Sequence, residues 1–183
     1  DLNRMFERVI QDEFYKQTYN AQVILKPGMQ YKNKGKDRDA PWVVVVDDFL
    51  TEQECETLIQ LGTERGYERS MDVGATKFDG TFDSHVSDGR TSSNTWCLDA
   101  CYENEMTKSV IGKIENLTGI PDTHSEYLQL LNYEEGQYYR THHDYILFHL
   151  EREQGVRIVT VFLYLNSVPE GGGTNLPLLN VTV

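Results

Sequence analysis

His142 and Asp144, within the stretch 132–146 (NYEEGQYYRTHHDYI), are the residues of this chain whose types and spacing most directly suggest chemistry. On extended backbone, side chains two residues apart leave the same side, so His142 and Asp144 face one way and His143 the other. An imidazole nitrogen and a carboxylate oxygen on one face can each bind a divalent ion at about 2.0–2.2 Å. One further His from a distant segment would complete a two-histidine, one-carboxylate triad. Such a triad leaves three positions open on Fe(II), two for a bidentate oxo-acid and one for dioxygen. A bare His-x-Asp triplet is common, and surface pairs of this kind ordinarily do no more than solvate. The setting gives this one weight: strand, Gly turn, aromatic-rich strand, motif, and then an apolar strand. His143 reads as a surface or supporting residue, because strand parity turns it away.

Several elements must position that motif. Residues 127–133 read as a strand, 134–136 (Glu-Glu-Gly) as a turn and 138–144 as the strand that carries the motif. Residues 157–165 (RIVTVFLYL) are apolar on both faces and read as a central buried strand. A turn at 168–173 follows, and another strand opens at Leu179. Upstream, Leu2, Met5, Phe6, Val9, Ile10 and Phe14 recur at helical spacing and predict one amphipathic helix. Residues 26–39 are polar and turn-rich and read as a loop or linker, whereas the β-branched run 42–46 reads as a buried strand. Thr51 followed by Glu54 is a capping-box signature. It opens a helix through Cys55, Leu58, Ile59 and Gly62 that stops near Gly66. Met106, Val110, Ile114 and Leu117 mark another helix, ended by Gly119 and Pro121. Cys55, on the core face of its helix, reads as packing rather than chemistry. Helices first and closely spaced strands afterwards make the fold class α+β, with a barrel-like β core backed by helices. The expected organisation is an N-terminal helix and polar linker over 1–40 and one domain over 41–183. Residues 181–183 read as a strand interrupted, so that domain is expected to be incomplete at its C-terminal end.

Composition bounds the function. The chain has 183 residues, 39% of them hydrophobic and 25% charged, which suits one globular domain with a real core. With 17 Lys+Arg against 29 Asp+Glu the net charge is −12, which argues against a nucleic-acid partner. No apolar run approaches the roughly 18 residues of a membrane span. Of the three cysteines, Cys97 and Cys101 could be bridged in an oxidising compartment, leaving Cys55 unpaired. Asn116-Leu117-Thr118 and Asn180-Val181-Thr182 are glycosylation sequons. Together these features lean towards the lumen of the secretory pathway, endoplasmic reticulum or Golgi.

Four stretches taken together carry a family resemblance: PWVVVVDDFLTEQECETLIQLG, DGRTSSNTWC, SEYLQLLNYEEGQYYRTHHDY and TVFLYLNSVPEGGGTNLP. In this order, over roughly residues 41 to 183, the sequence resembles the catalytic domain of prolyl 4-hydroxylases, in the Fe(II)/2-oxoglutarate dioxygenase superfamily. The resemblance implies a double-stranded β-helix, a jelly-roll core with supporting helices. It implies Fe(II) and 2-oxoglutarate as cofactors, ascorbate as reductant, and hydroxylation of peptidyl proline at C4 coupled to conversion of 2-oxoglutarate to succinate. By the same resemblance His142 and Asp144 match the first two iron ligands. Tyr133 and Thr174 match residues that hold 2-oxoglutarate, and Tyr139 an aromatic lining the substrate proline. Arg90, Ser92 and Glu126 fall where the family contacts the peptide. Read from the residues alone, Arg90 and Glu126 could equally be a surface ion pair, and Tyr139 a core aromatic. Residues 77–89 are a candidate lid over an extended peptide.

The sequence departs from the family pattern at three places. Thr141 stands where Pro is usual, and Gly173 where the family has a carboxylate. The family's third ligand and the Lys that pairs with 2-oxoglutarate lie beyond the position of Thr174, and residues 175–183 contain no His, Lys or Arg. His85, His124 and His149 do not match the distal position. The expectation is therefore two of three ligands, half an oxo-acid site and no useful hydroxylase activity in the chain as written. The alternatives are a 2-oxoglutarate dioxygenase with another substrate, and a noncatalytic, truncated domain that keeps a peptide groove.

Overall fold

A computed structural model of the protein describes residues 1–33, 35–76, 82–146, 149–150 and 155–183. It divides into two units. The first comprises Asp1–Thr51, Asn116–Gly119 and Asn166–Val183, and the second Glu52–Glu115 and Ile120–Leu165.

The first unit opens with two helices where the apolar spacing predicts one, α1 (Leu2–Gln11) and α2 (Glu13–Tyr19). Asp12 separates them: its backbone is extended and its carboxylate accepts the Phe14 N–H at 2.8 Å. A short acceptor at that position competes with helix continuation by capping the next helix. Phe6 of α1 stacks on Trp42 with ring centroids 5.4 Å apart, and the Trp42 indole N–H donates to Asn3 at 2.9 Å. β1 (Gln22–Leu25) pairs antiparallel with β4 (Val43–Val45), which is half-buried rather than fully buried. Between them, the polar stretch read as a loop contains a hairpin, β2 (Gln30–Asn33) with β3 (Lys36–Asp39). Charged, largely exposed side chains hid it, since a backbone ladder needs no apolar face. Residues 181–183, read as an interrupted strand, are paired: β11 (Val181–Thr182) lies antiparallel to β10 (Asn175–Leu176).

The second unit holds the better-packed core. Helix α3 (Glu52–Arg65) contacts the central strand and one edge strand, β8 and β9, of an antiparallel sheet ordered β5 (Glu68–Arg69), β8 (Ser93–Trp96), β9 (Gln129–Asn132). Close approach depends on Gly62, because a Cβ there would overlap the Tyr67 ring and lie 3.1 Å from Leu130 Cδ1. Strands β8 and β9 run in register from Ser93 opposite Asn132 to Trp96 opposite Gln129. Leu58, Val110, Thr107, Cys97, Cys101 and Leu130 are buried. Cys97 and Cys101 form a disulfide that ties the end of β8 to α4 (Ala100–Glu103). α5 (Glu105–Thr118) ends at Gly119, whose φ of +69° is the left-handed conformation that stops a helix. Glu54, not Cys55, is the buried residue on the opening turns of α3. Its carboxylate accepts from Ser109 at 2.9 Å and Lys113 at 2.5 Å on α5. Cys55 is partly exposed, and desolvation by its surroundings, reinforced by Glu54, pushes its thiol above the usual range, which suits an inert thiol.

Three expectations in this unit need correction. The strand expected at 127–133 is shorter, β9 alone. Residues 138–144 form no strand and make a single bridge, Tyr139 with Arg90. Residues 157–165 form no strand either, and Ile158 is 64% exposed and Phe162 50%. Alternation and apolar content favour extended backbone, but a strand also needs a neighbouring edge for its N–H and C=O groups, and among the described residues none pairs with 157–165. Of the stretch read as a lid, residues 77–81 lie outside the described residues, whereas β7 (Phe82–His85) pairs with β6 (Asp72–Thr76). The α+β class therefore holds as mixed helix and sheet. Among the described residues no helix is long and apolar enough to cross a membrane.

Candidate metal and peptide site

The chain reaches His142 already held on both sides. Residues 89–91 run antiparallel to 138–140: Thr91 N–H donates to Tyr138 O at 2.8 Å, and Arg140 N–H to Gly89 O at 2.7 Å. The Thr91 hydroxyl accepts the Tyr138 N–H at 2.7 Å, and the Tyr138 hydroxyl donates to Asp88 O at 3.0 Å. These bonds do for three residues what a strand would do for seven. Segment 89–91 leads directly into β8, so the motif is anchored to the well-packed sheet.

Tyr139 passes that order to His142. Its ring stacks on the imidazole with centroids 3.7 Å apart and planes 21° from parallel, and the Arg90 guanidinium lies 4.7 Å from the same ring. Burial pushes the Tyr139 phenol above its usual pKa, and the negative charge of Asp72 adds to the effect against the opposing Arg90. The ring is therefore a neutral stacking surface at physiological pH.

His142 Nδ1 lies 2.8 Å from Arg140 O. A carbonyl can only accept, so Nδ1 carries the hydrogen, and in the neutral ring the lone pair is on Nε2. That atom faces Asp144 Oδ1 at 3.2 Å, with both side chains about two-fifths exposed. Two acceptors facing each other at this distance require a cation between them, a proton or a metal ion. Two donors at adjacent corners of a six-coordinate ion, each at roughly 2.1 Å, would stand about 3.0 Å apart. The pair fits that bite. The other carboxylate oxygen of Asp144, Oδ2, accepts from the Thr160 hydroxyl at 2.6 Å. Among the described residues no group of three or more His, Cys, Asp or Glu side chains converges.

The remaining expected residues are dispersed. Arg90 is buried, donating to Met71 O at 3.0 Å and to Gln129 Oε1 at 3.5 Å, and its Nε has no hydrogen-bond partner among the described residues. Ser92 is fully buried with its hydroxyl donated to Ser70 at 3.1 Å, so it faces the interior rather than an open surface. Glu126 pairs with Arg157, not with Arg90: Arg157 Nε and Nη2 each donate at 2.7 Å to separate oxygens. That bond raises the Arg157 pKa against the opposing effect of burial. Tyr133 follows β9 and is 42% exposed. Thr174 belongs to the other unit, where its backbone exchanges hydrogen bonds with Val183. His143 is exposed. Arg157 and Thr160 escaped the sequence reading. Their signal was present, as two polar residues in a run otherwise apolar throughout.

Comparison with known proteins places a class of protein over this geometry. Residues 128–182 match the family described as the 2OG-Fe(II) oxygenase superfamily, a span that includes His142, Asp144, Arg157 and Thr160. Curated relatives sharpen the class. The chain is 39% identical over 139 residues to "Probable prolyl 4-hydroxylase 8" of Arabidopsis thaliana, covering 75% of this chain and 45% of that protein. It is 38% identical over 138 residues to "Prolyl 4-hydroxylase 5" of the same plant, covering 75% and 45%, respectively. With "Probable prolyl 4-hydroxylase 10" the identity is 33% over 164 residues, covering 84% of this chain and 54% of the relative. The chain thus spans about half the length of the curated relatives it matches. Over the shared span its sequence is similar to those of prolyl 4-hydroxylases.

Proposed function

We propose that the protein is a 2-oxoglutarate-dependent dioxygenase that hydroxylates peptidyl proline at C4, built on the double-stranded β-helix that the family implies. The observation that carries this reading is the facing pair His142 Nε2 and Asp144 Oδ1, 3.2 Å apart, inside the segment that matches the oxygenase family. In this reading the two side chains hold Fe(II). The bound iron supplies oxidation of the substrate C–H bond by dioxygen, with 2-oxoglutarate giving succinate and carbon dioxide and ascorbate restoring the ferrous state. The chain's own residues do the positioning. The Arg140 carbonyl holds His142 in the tautomer that presents Nε2, and the Tyr139 ring sets the imidazole plane. By the family resemblance Tyr133 is a residue assigned to 2-oxoglutarate. By the same resemblance Tyr139, stacked on His142, would pack against a proline ring. The Glu126–Arg157 pair would line the peptide's approach. A proline-containing peptide is therefore the substrate class. The disulfide and the two sequons support a place in the secretory lumen, endoplasmic reticulum or Golgi.

Mass spectrometry of a proline-rich peptide incubated with the protein, Fe(II), 2-oxoglutarate and ascorbate tests the proposal. The expected result is proline heavier by one oxygen, with stoichiometric succinate, once a third protein ligand and a Lys for 2-oxoglutarate are supplied. Residues 1–183 alone, which carry two of the three ligands, should give little turnover. Protein that binds iron and 2-oxoglutarate yet oxidises only a different residue would overturn the substrate, and protein that does not bind iron would overturn the reading altogether.

A further inference from the structure

Asp144 uses its two carboxylate oxygens differently. Oδ1 faces His142 Nε2 at 3.2 Å, whereas Oδ2 accepts from Thr160 Oγ1 at 2.6 Å. A hydroxyl bonded to an ionised carboxylate at that length is a charge-assisted hydrogen bond, stronger than a neutral one and directional. It comes from a residue sixteen positions away in the sequence, on the apolar stretch 157–165. Three residues earlier on that stretch, Arg157 holds Glu126 through two 2.7 Å bonds. The stretch is thus moored at Glu126, which leads into β9, and its hydroxyl is presented to Asp144 from a fixed place.

We propose that Thr160 is a positioning residue for the metal-binding carboxylate. By occupying Oδ2 it holds Asp144 in one-oxygen binding, with Oδ1 turned to the ion. This rests on the assignment of His142 and Asp144 as metal ligands. The consequence for chemistry is a count of positions. A carboxylate free to bind through both oxygens takes two sites on a six-coordinate ion, and one of the positions needed by a bidentate oxo-acid or dioxygen is lost. With Thr160 in place that site stays open. The hydroxyl also removes the rotational freedom of Asp144 before the ion arrives, so less order has to be created on binding. Hydrogen-bond partners of ligating side chains are typically worth about 10–100-fold in metal affinity.

The test is a Mn(II) titration followed by electron paramagnetic resonance, with Mn(II) standing in for Fe(II) in air, on the protein and its variants Thr160→Val, Thr160→Ser and Asp144→Ala. Valine keeps the β-branched shape at an exposed position and removes only the hydroxyl, and circular dichroism and thermal unfolding check that each variant is folded. The expected result is Mn(II) affinity lowered about 10–100-fold in Thr160→Val, restored to within a few-fold in Thr160→Ser and abolished in Asp144→Ala. Infrared difference spectra should show the Asp144 carboxylate changing from one-oxygen towards two-oxygen coordination in the Val variant. If Thr160→Val binds as the parent does while Asp144→Ala fails to bind, the role of Thr160 is wrong and the metal site stands. If the parent and Asp144→Ala bind alike, or neither binds, the metal assignment itself falls and the role of Thr160 with it.

Discussion

Strand β9 and the stretch 157–165 belong to the same unit, and both read as strand from the sequence, yet the protein treats them oppositely. β8 and β9 lie in four-residue register beneath α3, with Leu130 against Gly62 of that helix. Residues 157–165 are more apolar, but Ile158, Phe162 and Tyr164 stand largely exposed and the backbone joins no ladder among the described residues. What separates them is the presence of a partner. Apolar content sets how much could be gained by burial, whereas a hydrogen-bonding edge and a covering layer decide whether it is gained. The contrast assigns different work to the two regions. The packed sheet is the scaffold, and the unpaired stretch contributes Arg157 and Thr160 to the candidate site.

The largest effect expected of any change tests whether function resides in the motif rather than the scaffold. His142→Ala should remove metal binding altogether while leaving thermal unfolding of the metal-free protein close to the parent's, because the imidazole is two-fifths exposed. A calorimetric titration with Mn(II) alongside an unfolding scan checks both halves. Next in size, the comparison sharpens in a pair of truncations. Leu58→Ala, at 1% exposure, should cost about 2–5 kcal/mol of stability. Phe162→Ala, half exposed, should stay within about 0.5 kcal/mol, and urea unfolding reads both. An equal cost would mean that the apolar stretch is packed as tightly as the core, and the contrast would break. Gly62→Ala adds one methyl where α3 meets Tyr67 and Leu130 and should cost about 1–3 kcal/mol by overpacking.

The smallest effect lies at the edge of the scaffold. Tyr102 donates to Asp122, and this hydrogen bond, with lesser help from burial and the charge of Asp122, raises its pKa from 10.0 to about 12. The folded value is above the unfolded one, so the stabilisation is complete below the unfolded pKa of 10.0 and lost as pH rises through about 12. Phenolate absorbance should show one late-titrating tyrosine that disappears in Tyr102→Phe. Its persistence in that variant would assign the shift to another ring.

Much of the helical scaffold was legible in the residues themselves. Leu58 and Val110 mark buried faces of α3 and α5 by spacing, and Gly119 marks the stop of α5. The break at Asp12 was less visible, since the apolar period runs through it and only the cap geometry reveals two helices. Hairpin β2–β3 was invisible because its side chains are charged and its stability is in the backbone. In the candidate site, His142 and Asp144 come within 3.2 Å of each other although 138–144 is not the strand on which the parity reading relied. The partners of Glu126 and Asp144 were not legible. Arg157 lies 31 residues from Glu126 and Thr160 sixteen from Asp144, and no local period encodes such distances.

The residues by themselves determined what depends on neighbours along the chain: helix faces, turns, and a His and an Asp close together in sequence. Only the tertiary structure decided which extended segments found an edge to pair with and which hydroxyl met the second oxygen of Asp144. Pairing and contact at a distance depend on chain closure and on competition among partners, which the type of one residue does not specify.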